Sequence, residues 1–321
     1  MDTKSLMTVT GPVLGASLGF CQSHEHLFIR KGRSFAVSPV LYMDDLEKST
    51  QEARSYRASG GRTLVDAQPI GCGRMCRQLR QVSEATGVYI LASTGFHKMC
   101  FYPEDHWIFS ENEDTLTRLF ICELQEGMFD LCDESEPHFQ TDIKAGLIKA
   151  AVDDGPFSAQ YQKVFSAAVH AAIETGRALM VHIEPGSDPG ALLRWLLSRG
   201  LPANQIIFCH TDRACEDPAI RAELASAGIY LEMDTIGRPK YHSDLQEAAC
   251  FQKLLDAGFE RQLLFSLDTT RARMKSYTEG AVGLDYLLSQ FVLLLKNCGV
   301  SERQIELISH SNFVEAFSCR K

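Results

Sequence analysis

Ala178-Leu179-Met180-Val181-His182-Ile183 is an apolar run with one histidine near its end. Short runs of this kind, bounded by polar segments, read as strands buried on both faces of a parallel sheet. Seven further stretches match it. Gly19-Phe20-Cys21-Gln22 leads into Ser23-His24-Glu25-His26, and Thr63-Leu64-Val65-Asp66 and Val88-Tyr89-Ile90-Leu91-Ala92 follow. Then come Gly146-Leu147-Ile148-Lys149-Ala150-Ala151, Gln205-Ile206-Ile207-Phe208-Cys209-His210, Ile229-Tyr230-Leu231-Glu232-Met233 and Leu263-Leu264-Phe265-Ser266-Leu267-Asp268.

Stretches of helical periodicity fall between them, at 74–86, 114–129, 158–175, 190–198, 218–227 and 245–257. The stretch 114–129 opens on Asp114 and Thr115, residues suited to a cap and first turn. The stretch 158–175 stops before Gly176, a natural helix terminator. Strand and helix alternating with eight strands predict an α/β protein, a closed (β/α)8 TIM barrel. An open doubly wound sheet is the structural rival. No glycine-rich dinucleotide or phosphate-loop fingerprint follows any of the runs. No low-complexity break divides the chain, so residues 1–321 are expected to form a single domain. Residues 130–140 are acidic and irregular, and are read as a surface loop.

A composition of 45% hydrophobic and 23% charged residues is that of an ordinary globular protein with a sizeable core. The formal charge of −9 argues against a nucleic-acid-binding surface, while leaving room for a local basic pocket. Eleven cysteines with no C-x-x-C pair suit a reducing compartment better than a disulfide scaffold. Met1-Asp2-Thr3-Lys4-Ser5 does not open a signal peptide, and the run from Phe291 to Leu295 is too short to span a membrane. A cytoplasmic protein is expected, with no nucleic-acid or membrane partner.

Buried strands carry few polar groups, so those that occur are informative. Here they gather at the C-terminal ends: His24 and His26, Lys149, His182, His210 and Asp268. Residues two apart on a strand face the same way, so His24 and His26 point together. Imidazoles converging in this way suit one divalent metal ion. Taken alone, the pair is equally a polar strand face. In a barrel, however, all six groups would meet at one mouth. A lysine there either pairs its ammonium with a carboxylate such as Asp268, or is favoured by burial as the neutral amine. The neutral amine can add carbon dioxide and become an anionic carbamate.

With these residues in view, the chain resembles the phosphotriesterase family of the amidohydrolase superfamily. The resemblance runs from Thr8-Val9-Thr10-Gly11-Pro12 through His24-Glu25-His26, Gly146-Leu147-Ile148-Lys149 and Val181-His182 to His210-Thr211-Asp212 and Leu267-Asp268. It implies a binuclear site. His24, His26 and Asp268 would hold one metal, and His182 and His210 the other. Lys149, as its carbamate, would bridge both together with a hydroxide. Zinc is the expected metal, with manganese or cobalt as alternatives. The bridging hydroxide would attack a carbonyl or phosphoryl centre, with Asp268 as the catalytic acid and base.

Within that family, specificity resides in the loops after the strands. Gly237-Arg238-Pro239-Lys240-Tyr241 follows the seventh run, and Thr269-Thr270-Arg271-Ala272-Arg273-Met274-Lys275-Ser276-Tyr277 the eighth. Basic side chains with a tyrosine hydroxyl suit a dianionic phosphate, and both loops are similar to those of phospho-sugar lactonases. By that resemblance Lys240, Arg271 and Tyr277 would bind the substrate's phosphate, with Arg273 as the rival to Arg271. The other reading makes them solvated loop charges. Phe96 and His97 stand where many relatives carry a tyrosine beside the substrate carbonyl. His97 is therefore the candidate donor there, with Lys98 a candidate for the phosphate. His106, His138, His170, His242 and His310 lack metal spacing. The expected function is hydrolysis of a phosphorylated sugar lactone, a pentonolactone phosphate. The alternative is a general lactonase or carboxylesterase with promiscuous organophosphate triesterase activity. A homodimer is the expected assembly.

Overall fold

The computed structural model describes residues 4–153 and 157–320, so Met1–Thr3 of the amino-terminal stretch lie outside the described residues. Eight strands form one parallel sheet in sequential order. They are β1 (Phe20–Glu25), β2 (Gly61–Asp66), β3 (Tyr89–Gly95), β4 (Leu147–Ala151), β5 (Leu179–His182), β6 (Ile206–Cys209), β7 (Tyr230–Met233) and β8 (Leu263–Phe265). All eight apolar runs of the sequence become these strands. The sheet closes on itself where the Asp268 N–H donates to the His24 carbonyl at 3.0 Å. The His24 N–H donates to Ser266 Oγ at 2.9 Å in the same seam. The architecture is the expected (β/α)8 barrel, a single domain.

A helix follows each strand. They are α1 (Leu46–Ala58), α2 (Cys76–Thr86), α3 (Glu113–Gln125), α4 (Ala159–Thr175), α5 (Pro189–Ser198), α6 (Pro218–Ser226), α7 (Asp244–Asp256) and α8 (287–297, opening as a π-helical turn). Ser158 caps α4 by accepting the Tyr161 N–H, and left-handed Gly176 ends it, the latter as the sequence implies. The cap of α3 is Asn112, two residues before Asp114, which instead sits in the first turn. Asn112 is an equally good cap, and no apolar residue marks the boundary between them. Helix α1 escapes sequence periodicity because its buried face is Ser49, Thr50, Glu52, Ala53 and Tyr56, mostly polar or small. The acidic segment 130–140 is pinned at both ends by a two-residue antiparallel pairing, Phe129–Asp130 with Phe139–Gln140.

Alternation along the strands sorts the core into two bodies. Leu64, Ile90, Ile148, Val181, Phe208 and Leu231 face outward and pack beneath the helices. Their neighbours Val65, Leu91, Leu147, Met180, Ile207 and Leu264 face the barrel axis. Phe313 and Phe317, from a last helix α9 (302–317), plug the N-terminal end of that inner body. The inner positions two residues further along are Lys149, His182, Cys209, Glu232 and Ser266. The interior therefore turns from apolar to polar toward the C-terminal mouth.

Candidate metal centre

The six sequence-flagged groups do converge at this mouth, and all six are at least nine-tenths buried. His24 and His26 leave the end of β1, and Asp268 stands three residues beyond β8. The Nε2 atoms of His24 and His26 lie 3.8 Å and 3.5 Å from Asp268 Oδ1. Lys149 is fully buried in β4, with Nζ 3.1 Å from His24 Nε2. His210 Nε2 and His182 Nδ1 face each other at 2.7 Å. Two of these residues adopt positive φ, His210 at +61° and Asp268 at +48°. Non-glycine residues rarely do so, at a cost of about 1–3 kcal/mol each. The barrel supports both turns because they aim the side chains inward from the ends of β6 and β8.

A feature that sequence reading passed over makes this set fit metal ions. His24 Nδ1 lies 3.0 Å from both Glu232 Oε2 and Asp234 Oδ2. His210 Nδ1 donates to Asp234 Oδ1 at 2.6 Å, and His182 Nε2 to Glu184 Oε1 at 2.8 Å. Each ring thus spends its one N–H on a carboxylate. Its other nitrogen is left as a bare lone pair aimed into the site, the usual arrangement behind a metal-bound imidazole. Two lone pairs meeting at 2.7 Å between His210 and His182 repel unless a cation lies against them. Burial is the main cause holding the His24 ring down at about 4 and the His182 ring at about 3, so both are neutral and ligand-competent near pH 7. Burial, with the charge of Asp268, pushes Asp234 up to about 8. Bound cations would act in the opposite sense. His26 Nδ1 is buried without a hydrogen-bond partner among the described residues. The residues present therefore fit two cations.

Asp268 is oriented at both oxygens. Oδ1 faces the His24 and His26 rings, and Oδ2 lies 3.0 Å from Arg238 Nη2. Burial would raise its pKa, but Arg238 and the two rings outweigh that and hold it well below the usual carboxylate range. Asp268 pairs with Arg238 rather than with the Lys149 ammonium. Lys149 has Cys209 Sγ as its other neighbour, at 3.6 Å. Gly95, with φ +95°, is needed beside it, because a Cβ there would lie 1.9 Å from the Lys149 carbonyl oxygen.

Above these groups opens a cavity of about 190 Å³, whose walls include His26, His182 and Asp268. His97 lines it too, as expected of a substrate-facing donor. Its Nδ1 accepts the Lys98 N–H at 2.7 Å, so the neutral ring carries its proton on Nε2. The charged lining sets three cations, Lys98, Arg213 and Arg238, against two carboxylates, Glu184 and Asp268. Lys98 is neutralised by Glu184 at 2.6 Å. A larger cavity of about 520 Å³ alongside shares Ser34 and Phe101 with it, and is lined by none of the six converging groups.

The other sequence-flagged substrate residues lie off this wall. Lys240 is exposed, its Nζ 4.5 Å over the Tyr241 ring. Arg271 is exposed, with its guanidinium 5.9 Å from the Tyr42 ring. The Tyr277 hydroxyl donates to the Asp45 carbonyl and contacts Ser49 Oγ at 2.8 Å, tying its loop to the start of α1. Arg273 is buried and satisfies the carbonyls of Leu267 and Ile236. His242 pairs with Glu247 and lies with Asp212 in a separate group outside the cavity lining.

Glu232 and Asp234 were legible in principle, since a carboxylate at an inner position of a buried strand is as anomalous as Lys149. Arg238 lies in the basic loop already read as suited to a phosphate, where Lys240 was singled out instead; Arg213, in the short helical turn Thr211–Ala214, carried no signal of its own.

The Phosphotriesterase family pattern matches residues 4–317. A phospho-furanose lactonase of Mycoplasmopsis agalactiae is 28% identical, covering 98% of this chain and 92% of that protein. The crystal structure of an amidohydrolase from Mycoplasma synoviae superposes with a TM-score of 0.95 at 25% identity, covering 100% of this chain and 94% of its own. The lactonase Lmo2620 from Listeria monocytogenes superposes with a TM-score of 0.89 at 25% identity, covering 99% and 100%.

Proposed function

The chain belongs to the phosphotriesterase family, a metal-dependent hydrolase of the lactonase and phosphotriesterase kind, and from that premise we propose that it opens a phosphorylated sugar lactone at a binuclear centre. The observation that carries the metal reading is the pairing of one N–H each of His24, His182 and His210 with a carboxylate, which leaves the bare nitrogens of these three rings facing the site. The substrate reading rests on the excess of cations over carboxylates on the cavity wall and on similarity to a phospho-furanose lactonase. His24, His26 and Asp268 would hold one ion, and His182 and His210 the other. Lys149, as a carbamate, would supply an anionic ligand to the pair.

Two bound divalent ions, zinc first among the candidates, would supply hydroxide near neutral pH and polarise the carbonyl. The chain's own groups do the rest. His97 Nε2–H lies on the cavity wall as a donor to the substrate's carbonyl oxygen. Asp268, fixed through Oδ2 by Arg238, would take the proton released by attack and return it to the departing ring oxygen. Asp234 and Glu232 keep the imidazoles in the ligand tautomer. Among the described residues no helix is long and apolar enough to cross a membrane. All eleven cysteines are free, which supports a reducing, cytoplasmic setting.

The test is a panel of pentonolactones, with and without a 5-phosphate, given to metal-loaded protein while acid release is followed. Turnover confined to the phosphorylated members is the expected result. Equal turnover of plain lactones would replace the phosphate reading with that of a general lactonase or carboxylesterase.

A further inference from the structure

Helix α7 carries a charge on its inward face. Ala248, Phe251, Leu254 and Leu255 form its apolar stripe, and Glu247 lies fully buried beside them. Neither oxygen of Glu247 receives a hydrogen bond among the described residues. Oε2 is only in ion-pair contact with His242 Nε2, from the loop that precedes the helix. Asp212, buried in the turn after β6, completes the group. Its Oδ1 accepts the Arg213 N–H at 2.9 Å, and its Oδ2 the Thr235 N–H at 2.7 Å. One ligand atom from each of Asp212, His242 and Glu247 lies within 4.8 Å of the other two. An imidazolium paired with Glu247 Oε2 would still leave Oε1 and the Asp212 charge with no cation against them. Arg221, also buried, acts on Glu247 only through space, because its N–H groups go to the Thr211 and Cys215 carbonyls and to Cys250 Sγ. Leaving a buried carboxylate oxygen unsatisfied is costly unless a ligand completes it.

We propose that Asp212, His242 and Glu247 form a further cation site, which takes one zinc-type divalent ion apart from the proposed catalytic pair. Two carboxylates and an imidazole are a donor set that zinc accepts, at about 2.0–2.2 Å from each ligand atom, with water in the remaining position. His242 Nε2 faces both Glu247 Oε2 and Thr235 Oγ1, the latter at 3.3 Å, so it is the nitrogen the group presents. The Thr235 hydroxyl donates to Asp212 Oδ2, the kind of outer hydrogen bond that orients a ligating carboxylate. His242 is only half-buried, which leaves an ion a way in. The three ligands lack metal spacing in the sequence because they come from the turn after β6, the loop after β7 and α7. One ion there ties that loop to the barrel on one side and to the helix on the other. Arg238, the partner of Asp268, lies in the same loop, so the ion steadies it from outside the cavity. The site holds whatever the substrate is.

The test strips the full-length protein with a chelator, reloads it with zinc and removes the excess. Zinc per chain is then counted for wild type, His242→Ala and Glu247→Gln. Each variant is expected to hold about one zinc fewer than wild type. That difference is the same whether the main centre takes two ions or fewer, so the count separates this site from the proposed function. Carbethoxylation of His242, mapped by peptide mass, locates the ion. Zinc should slow it about tenfold in wild type and leave it unchanged in Glu247→Gln. Glu247→Gln preserves the size of the side chain, and it decides alone should His242→Ala not fold. Equal zinc in wild type and variants would overturn the site and leave an imidazolium–carboxylate pair in its place. So would carbethoxylation of wild-type His242 that is indifferent to zinc, since any ion lost would then have come from elsewhere.

Discussion

The floor of the site and its mouth are built on different terms. On the floor, His24, Lys149, His182 and Glu232 occupy inner positions of strands, or the step just beyond, and a two-residue period decides where each points. At the mouth the same kinds of residue meet different fates within a few positions. Arg238 lines the cavity while Lys240, two residues on, lies outside over Tyr241. Arg273 is buried against backbone carbonyls, whereas Arg271 is exposed. The contrast teaches that direction along a strand is set by geometry, whereas in a loop it is set by which carbonyls and carboxylates need a donor.

The sharpest way to break the comparison is to attack the floor. Asp268→Asn removes a proposed metal ligand and the proposed proton acceptor together. It should lower kcat about 1000-fold or more, measured on protein reloaded with metal. Chelation should abolish turnover, and zinc, manganese or cobalt should restore it. An enzyme that stays fully active with less than one ion per chain would refute the metal reading.

Asp234→Asn leaves every proposed metal ligand in place and disturbs the ring N–H groups behind His24 and His210 together with the His210 backbone N–H. A loss of about 10–100-fold in metal affinity is expected, read from metal content against chelator concentration. Undiminished affinity would mean that the carboxylates are incidental to the imidazoles.

Acid provides a gentler probe of the floor. Unfolded imidazoles take up a proton near 6.5, whereas burial holds His24 down at about 4 and His182 at about 3. Between these values the unfolded chain binds more protons than the folded one. Metal-free protein should therefore keep this contribution above pH 6.5 and lose it as the pH falls toward 4 and then 3. Urea denaturation at stepped pH measures it, and a flat profile over that window would contradict the neutral buried rings. The smallest effects belong to the outer mouth. Lys240→Ala and Arg271→Ala should change stability by less than about 0.5 kcal/mol in the same assay, as exposed substitutions do.

Much of the fold was legible in advance, because a strand buried on both faces must be apolar along its length. All eight runs became barrel strands. The exceptions to that rule, His24, His26, Lys149, His182, His210 and Asp268, were legible for the same reason and did converge. Glu232 obeyed the same logic and was overlooked inside an apolar run. Helix α1 was not legible, since Ser49, Thr50 and Glu52 are buried by hydrogen bonds rather than by apolar contact.

By itself, then, the sequence determined the barrel and the groups at its C-terminal mouth, because burial and a period of two leave strand residues little choice. Only the tertiary structure decided how the rings are protonated, since Asp234, Glu232 and Glu184 reach them from other strands and turns. It alone decided which basic side chains face the cavity. Arg213 and Arg238 do so, while Lys240, Arg271 and Tyr277 lie off its wall. Loop side chains go where unsatisfied partners and space draw them, and those partners come from parts of the chain far away in sequence.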